Sequence, residues 1–345
     1  MTTSRIRLVG LSLPAIAVAL AGLLLPTNAA ANHTKSKGKW TAPCPGGLSC
    51  MPEGREGFAM TRIGDQLVVS HGLTQLTGDS NHTRIYDIPT DTWFDPMPVP
   101  PLAIRSELAG AAHGGIHYAV GGRGFCAVSL FGVCADLEAY DRVANAWTSL
   151  RPMPTPRAGL AAAVVGNRLF AIGGRTGTTP ASGVALTAVE AYNIVAGTWR
   201  TVSPLPIAVM DTFAVSHGGR IYVIGGATMG NVPVGLVQIY NVAKNRWSLG
   251  SPMPTPRANL ALARCGSVIL ALGGRLDLGV STIVEAYEIP KNAWKTGLAP
   301  MPTAKSEHAA AFHGGRIYAT GSGIFGAARN YHEAARCSSF FGKKN

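Results

Sequence analysis

The chain has 345 residues and a formal net charge of +12, with 30 Lys and Arg residues against 18 Asp and Glu residues. Once an N-terminal targeting segment is set aside, this length suits one domain rather than two. The positive charge alone would allow a nucleic-acid-binding protein. Aromatic residues do not alternate with the basic ones, however, and the chain is predicted to be exported, so we expect no nucleic-acid partner.

The first 31 residues have the pattern of a secretory signal peptide. Arg5 and Arg7 precede an apolar stretch at 8–25, and the small residues 29–31 offer a cleavage site. We therefore expect a secreted or periplasmic protein. A retained single-span anchor is the alternative, because the apolar stretch is close to the shortest length that spans a bilayer. No second stretch of this kind follows, so we expect no stable membrane insertion after cleavage.

The tryptophans recur about fifty residues apart in one frame, a period that is typical of propellers and repeat arrays. All six share this frame: Trp40, Trp93, Trp147, Trp199, Trp247 and Trp294. A tyrosine lies seven residues before five of them, at Tyr86, Tyr140, Tyr192, Tyr240 and Tyr287. Upstream of most of these tyrosines an apolar run ends in a glycine pair, as at 221–226.

Each repeat predicts four short β-strands. Runs rich in Val, Ile, Tyr and Ala are separated by Gly, Pro and Asn, and the pair Gly166-Asn167 between two such runs predicts a tight hairpin. A single four-stranded sheet cannot bury both of its apolar faces. Radial stacking of several sheets buries them and produces a β-propeller.

The order of apolar strand, Gly-Gly, Tyr and Trp resembles the kelch repeat over essentially the whole mature chain. Trp40 has no tyrosine before it, and Tyr331 has no tryptophan after it. We therefore expect Tyr331 in the third strand and Trp40 in the fourth strand of the last blade, which closes the ring and removes an open sheet edge. The prediction is an all-β, six-bladed kelch propeller with four-stranded antiparallel blades over 32–345. Its expected blades are 54–100, 101–154, 155–206, 207–254, 255–302, and 303–335 together with 35–42.

Six cysteines in an exported chain favour disulfides over metal thiolates, and we expect no metal and no cofactor. The first four cysteines form two pairs that are close in sequence. Cys265 ends a first strand and Cys337 follows the last third strand, so both lie on the same face of neighbouring blades. The predicted bridges are Cys44–Cys50, Cys126–Cys134 and Cys265–Cys337. Connectivity does not follow from sequence alone, and other pairings stay open at this point.

The connections between second and third strands are long and differ in every blade, whereas the other connections within blades are short. Strand alternation places all the long ones on one face of the propeller, which we call the long-loop face. They span 73–83, 123–136, 175–187, 227–236 and 275–282. Binding residues concentrate on variable loops of a rigid scaffold, so this face is the candidate binding site.

Positive charge collects at the same face. The residues that open the first strands are Arg55, Arg105, Arg157, Val209, Arg257 and Lys305, and the positions after three glycine pairs add Arg123, Arg175 and Arg275. Two residues after each residue that opens a first strand lies a member of a second set: Gly57, Glu107, Gly159, Asp211, Asn259 and Glu307. An opening lined by one sign of charge attracts ligands of the opposite sign. The alternative is structural, with the arginines pairing with Glu138, Glu190 and Glu285 of the third strands.

These charges predict a secreted, monomeric binding module for an acidic carbohydrate or an acidic protein segment. In intracellular kelch adaptors of similar fold, arginines at these two kinds of position hold acidic peptides, so the resemblance implies a ligand face here. Arginine also offers a planar fork that matches carboxylates. The expected ligand-binding residues are Arg55, Arg105, Arg157, Arg257, Lys305, Arg123, Arg175, Arg275, Asn259 and His308.

Two exported enzyme families that share the kelch scaffold supply alternatives. Periplasmic sialic acid epimerases have similar length, and that resemblance implies a carboxylate acid or base beside a cationic clamp. The candidate catalytic residues are then Glu107, Asp211 and Glu307. Copper oxidases that resemble galactose oxidase place a Tyr-His pair at the start of a first strand. This chain has Glu307-His308 there instead, and we expect no copper centre.

Overall fold

The structure is a computed structural model that describes residues 40–44, 47–75, 78–98, 103–126, 129–324 and 327–341. The predicted signal peptide and the 35–39 part of the closing strand lie outside these residues. The described chain contains β-strands and two short 3-10 helices, Ile289–Lys291 and Cys337–Phe340. Within it, no helix is long and apolar enough to cross a membrane.

Five blades are four-stranded antiparallel sheets in which the strands pair in sequence order. Blade 1 comprises Ala59–Ile63, Gln66–Ser70, Thr83–Asp87 and Thr92–Phe94. Blade 2 comprises Ala109–His113, Ile116–Val120, Leu137–Asp141 and Ala146–Leu150. Blade 3 comprises Ala161–Val165, Arg168–Ile172, Val189–Asn193 and Thr198–Thr201.

The other three blades complete the ring. Blade 4 comprises Phe213–His217, Arg220–Ile224, Val237–Asn241 and Arg246–Leu249. Blade 5 comprises Ala261–Cys265, Val268–Leu272, Val284–Glu288 and Ala293–Lys295. Blade 6 comprises Ala309–His313, Arg316–Ile324 and Ala327–Arg336. The first strand of every blade contacts the first strands of both neighbours, including blade 6 against blade 1, so the six-bladed ring is closed.

Short strands extend the long-loop face. Arg55–Glu56, Leu73–Thr74 and Gly78–Asp79 form one small sheet above blade 1. Ile104–Ser106, Arg123–Cys126 and Ser129–Val133 form a second above blade 2. Ala227–Thr228 pairs with Val232–Pro233 in blade 4.

The repeated tryptophans join each blade to its neighbour. Each tryptophan of blades 1 to 5 lies directly across from its tyrosine on the adjacent strand, with ring centroids 4.9–5.3 Å apart. The indole N–H of Trp199 donates to the carbonyl of Arg151 in blade 2 at 2.8 Å, and that of Trp247 donates to Ser203 at 2.8 Å. The fifty-residue period therefore marks the joints between blades.

Closure at the last blade is confirmed, but its tyrosine partner is not the expected one. Trp40 forms an antiparallel β-bridge with Ala335. In blade 2 the residue at the equivalent position, opposite Trp147, is Tyr140. Tyr331 lies four residues earlier and carries the Lys305 ammonium over its ring at 4.9 Å. Trp40 instead packs edge-on against Phe340, with ring centroids 5.9 Å apart. The sequence frame indicated the correct strand for Trp40 and the wrong partner.

The glycine pairs allow neighbouring blades to approach closely. Gly173 and Gly174 both have positive φ, 60° and 95°. A Cβ on Gly173 would lie 2.6 Å from the Val209 carbonyl oxygen of the next blade. A side chain here would thus collide with backbone as well as strain the φ angle.

All three predicted disulfides are present. Cys44–Cys50 and Cys126–Cys134 close short loops, with Cα atoms 5.4 and 5.3 Å apart. Cys265–Cys337 links blade 5 to the segment that follows the last strand of blade 6, with a Cα separation of 6.4 Å.

Candidate functional site

The six residues of the second predicted set form a closed ring of backbone hydrogen bonds at the opening of the central channel. We call them the mouth ring: Gly57, Glu107, Gly159, Asp211, Asn259 and Glu307. Each backbone N–H donates to the carbonyl oxygen of the same position in the preceding blade, at 2.6–3.0 Å, and blade 1 completes the circle with blade 6. All six have φ between 51° and 60°. Positive φ is uncommon for a glutamate, and such residues cluster at functional sites.

Side chains of the mouth ring converge with two arginines from the long-loop face. The Arg175 guanidinium lies between two carboxylates: its Nη1 donates to Asp211 Oδ1 at 2.6 Å, and its Nη2 donates to Glu107. Arg123 Nε donates to the other oxygen of Glu107 at 2.7 Å. On the far side, Asn259 Nδ2 donates to Glu307 Oε1 at 3.4 Å. The candidate acids are thus brought together, and Arg175 is held by carboxylates of the protein itself.

Burial raises the pKa of three carboxyl groups at or beside the mouth. Burial raises the pKa of Glu307 to about 7, with further contributions from the charges of Glu56 and Asp211. Burial also raises the pKa of Asp211, although Arg175 opposes this. The pKa of Glu56 is raised for the same main reason. A carboxyl group that titrates near neutrality can exchange protons with a ligand.

Glu307→Gln should increase stability at pH 8 by about 1–3 kcal/mol and leave it unchanged below pH 5. The folded-state pKa of about 7 exceeds the ordinary value of 4.5, so the native protein binds the extra proton and its stability falls as the pH rises between these values. Glutamine does not titrate, so the variant does not lose this stability as the pH rises. Urea unfolding at both pH values measures the difference. Asp277→Asn, at an exposed loop carboxylate of the same face, is the control; equal effects of the two substitutions would contradict the account.

The first-strand cations lie below the surface, which corrects their expected position at the mouth. These are Arg55, Arg105, Arg157, Arg257 and Lys305, all with 0% exposure. Arg157 pairs with Glu190 at 2.6 Å and Arg257 with Glu285 at 2.7 Å, each within its own blade. Arg157 Nη2 also donates to the Ala171 carbonyl at 2.9 Å. The alternative from the sequence, pairing with third-strand glutamates, is what these contacts show.

The remaining first-strand cations follow the same scheme with local variations. Arg105 pairs with Glu138 at 2.5 Å and Lys305 with Glu333 at 3.8 Å. Arg55 pairs with Glu53, because the third strand of its blade carries Arg84 at the corresponding place. In every case the cation finds a carboxylate inside the protein.

Blade 4 shows that the cation and the glutamate act as one unit. It has Val209 where other blades have a cation, and Gln238 where four of them have a glutamate. Gln238 turns its amide to the backbone of Ile207, accepting from its N–H and donating to its carbonyl, both at 3.0 Å. Both charges are replaced together, so neither is left in blade 4 without its partner.

Among the cations after the glycine pairs, Arg275 has the most freedom to meet a ligand. It is half-buried, and its Nη2 donates to the carbonyl oxygen of Asn231 at 3.1 Å and to the Asn231 side-chain oxygen. It forms no ion pair among the described residues, although its charge lowers the pKa of Asp211. Arg123 is also half-buried but is paired with Glu107. Arg175 is fully buried.

His308 lies in the core between blades 5 and 6. It is 1% exposed, and neither ring nitrogen has a hydrogen-bond partner among the described residues. Its ring approaches Gly273, at a place where blades 2, 3 and 5 have leucine. Burial, together with the charges of Lys305 and Arg257, holds its pKa well below the usual range, so it is neutral.

An exposed aromatic pair on the long-loop face was not predicted from the sequence. Phe125 and Phe131 are 53% and 56% exposed, and their rings meet edge to face with centroids 5.7 Å apart. They lie on the hairpin that the Cys126–Cys134 bridge closes. One phenylalanine just before a short disulfide loop and one within it were the signal available in the sequence.

The fold defines a six-bladed β-propeller with a candidate site at the channel mouth, and comparisons with known proteins identify its class. The family model described as "Kelch motif" matches residues 156–206 and 211–254. Kelch-like protein 25 of Homo sapiens is 35% identical over 229 residues, which cover 65% of this chain and 38% of that protein. Kelch-like protein terF of Aspergillus terreus is 27% identical over 314 residues, covering 87% of this chain and 67% of that protein.

A solved structure agrees with the fold. The structure of YjhT superposes with a TM-score of 0.70 at 14% identity, covering 84% of this chain and 95% of YjhT. The chain is a kelch-repeat β-propeller protein. It spans about 38% of the length of Kelch-like protein 25.

Proposed function

We propose that this chain is an exported binding module that holds an acidic protein segment across the mouth of its long-loop face. Kelch-repeat propellers are typically protein-interaction modules. Export is supported by the pattern of residues 1–31 and by the three disulfides, which form in oxidising compartments. We propose a secreted or periplasmic location on these grounds.

The observation that carries the proposal is the presence, on one face, of exposed aromatic rings and of a cation that forms no ion pair within the described part of the chain. The Phe125 and Phe131 rings offer apolar contact on the blade 2 side. Arg275, on the blade 5 side, can donate to a ligand carboxylate. Aromatic residues and arginine supply most of the binding energy in protein interfaces. A segment lying over the mouth would use both sides.

The size of the mouth favours a segment over a small acidic sugar. The cavity at the mouth holds only about 40 Å³, room for a few water molecules. Small-molecule sites are typically several hundred Å³. A ligand therefore lies over the opening rather than within it, as an extended peptide can. An acidic carbohydrate on this face is the other ligand class that its charges allow.

Arg275→Ala should weaken binding of an acidic peptide about tenfold or more, because it removes a charge-assisted hydrogen bond. The probe is a dye-labelled peptide of alternating Glu and Leu, titrated by fluorescence anisotropy against the intact chain. Phe125→Ala should also weaken it, and Arg151→Ala, at an exposed arginine outside the mouth ring and the five long loops, is the matched control. Equal affinity of all four proteins would overturn the site. Competition by N-acetylneuraminate would indicate an acidic sugar as ligand.

Acidic-sugar ring opening is a second candidate function, favoured by the Glu307 carboxyl with its pKa of about 7 beside Asp211 and the arginine clamp. A group that titrates near neutral pH suits general acid or base catalysis. The small mouth requires the long loops to move before a sugar enters. Exchange between the anomers of N-acetylneuraminate, followed by NMR with wild type and Glu307→Gln, tests this candidate. Exchange at the uncatalysed rate would remove it.

A further inference from the structure

The opposite end of the channel carries a ring of arginines that the proposed function does not use. We call this end the short-turn face; it consists of the six turns that join first and second strands, together with the ends of the strands beside them. Five blades contribute one arginine each: Arg62, Arg168, Arg220, Arg264 and Arg316. The same turns contain a single acid, Asp65. The repeat thus builds a second cationic ring, at the face where the sequence did not predict a site.

These arginines differ from the first-strand cations because no carboxylate neutralises them. None of the five forms an ion pair within the described residues. Arg62, Arg168 and Arg220 are exposed. Arg264 Nη1 donates to the Gly266 carbonyl oxygen at 2.6 Å. The lone acid, Asp65, lies 3.1 Å from His313 Nε2 of the neighbouring blade.

Like charges also meet directly on this face. Arg316 and Arg336 are opposed partners in neighbouring antiparallel strands. Arg168 and Arg200 line one cleft of about 150 Å³ with Ala191, Asn193 and Thr198, and no carboxylate belongs to its walls. Opposed like charges destabilise a sheet. A bound anion would relieve this repulsion, and the planar guanidinium forks suit sulfate and carboxylate groups.

The channel opens widely on the short-turn face. Its cavity measures about 360 Å³ and is walled mainly by Ala, Gly, Val and Ser of the first strands, with Arg62 and Arg264 among its lining residues. This cavity is large enough for a sugar residue, in contrast to the mouth of the long-loop face.

We propose that the short-turn face binds a linear acidic polysaccharide through its arginine ring. The described turn residues expose no Phe, Tyr or Trp on which nucleobases could stack. The two-residue turns are too short to form side-chain pockets of the kind that give peptides specificity. Regularly spaced arginines match the regularly spaced sulfate or carboxylate groups of such a polymer.

The test uses heparin as the acidic polysaccharide and the intact chain. The triple variant Arg62→Ala/Arg168→Ala/Arg220→Ala should bind heparin about tenfold more weakly than wild type and elute from a heparin column at lower salt. All three side chains are exposed, so the melting temperature should stay unchanged. The control is Arg151→Ala, at an exposed arginine that belongs to neither binding site, and it should elute like wild type.

Identical elution of wild type, triple variant and control would overturn the proposal. Tighter binding of double-stranded DNA or of polyglutamate than of heparin, with the same dependence on the three arginines, would overturn the polysaccharide assignment in favour of that polymer. The triple variant should still bind the Glu and Leu peptide with wild-type affinity. That measurement separates failure of this face from failure of the long-loop site.

Discussion

Replacing Arg257 by Ala should destabilise the propeller by about 3–5 kcal/mol and lower its melting temperature by on the order of 10 °C. The guanidinium is fully buried and pairs with Glu285, and it also donates to the carbonyl oxygens of Gly273 and Ile283 at 2.6 and 2.9 Å. Its removal leaves a carboxylate in the interior without its charge partner. Thermal and urea unfolding of the intact chain measure the loss.

Blade 4 supplies a matched rescue for this variant. Changing Arg257→Val together with Glu285→Gln copies the natural pair Val209 and Gln238, so most of the lost stability should return. Arg151→Ala should change the unfolding free energy by less than about 0.5 kcal/mol. If Arg257→Ala instead abolished peptide binding while its melting temperature stayed at the wild-type value, Arg257 would be a ligand contact rather than a structural residue.

Deletion of residues 35–41 should open the ring and cost at least about 3–5 kcal/mol, the range for loss of one packed tryptophan. Trp40 donates its indole N–H to the Ala299 carbonyl at 3.4 Å and packs on Phe340. The Thr41 N–H donates to the Ala334 carbonyl at 2.7 Å, and its hydroxyl accepts from the Ala334 N–H at 2.8 Å. Without these contacts the last blade keeps an open edge.

The Cys265–Cys337 bridge still holds blade 6 against blade 5 when the closing strand is deleted. It spans 72 residues and ties the end of blade 6 to blade 5, a constraint of about 4 kcal/mol on the unfolded chain. Adding Cys265→Ser/Cys337→Ser to the deletion should therefore lower stability further. A deletion variant that melts like the full chain would show that Trp40 is not the closing element.

The fold could be predicted because the repeat places the same residue types at the same joints. Trp199 and Tyr192 meet across two adjacent strands, and Gly173 and Gly174 occupy positive φ beside a neighbouring backbone. Because each blade needs the same residue types at these contacts, they recur in the sequence about every fifty residues. Tyr331 lies in the third strand of blade 6, as predicted, but Ala335 occupies the position opposite Trp40, so only the pairing of Tyr331 with Trp40 was wrong.

The candidate site was harder to predict, because sequence gives the sign of a charge and not its depth. Arg157 and Arg168 are eleven residues apart in one blade, yet the first is buried against Glu190, and the second is exposed and forms no ion pair with any described residue. The joint replacement by Val209 and Gln238 was the sequence signal for buried pairs. The raised pKa of Glu307 comes mainly from its burial, with contributions from Glu56 and Asp211, which are distant in sequence and lie near Glu307 only in the folded ring.

The central proposal is that an acidic segment binds on the long-loop face, while the buried first-strand cations stabilise the blades. Hydrogen exchange of the intact chain tests the location of binding most directly. The exchange is measured with and without the Glu and Leu peptide. Protection on peptide binding is expected in the loops 123–136, 227–236 and 275–282, where the aromatic pair, Asn231 and Arg275 lie. Protection confined to the short turns at 64–65, 114–115, 166–167, 218–219, 266–267 and 314–315 would contradict a long-loop binding site.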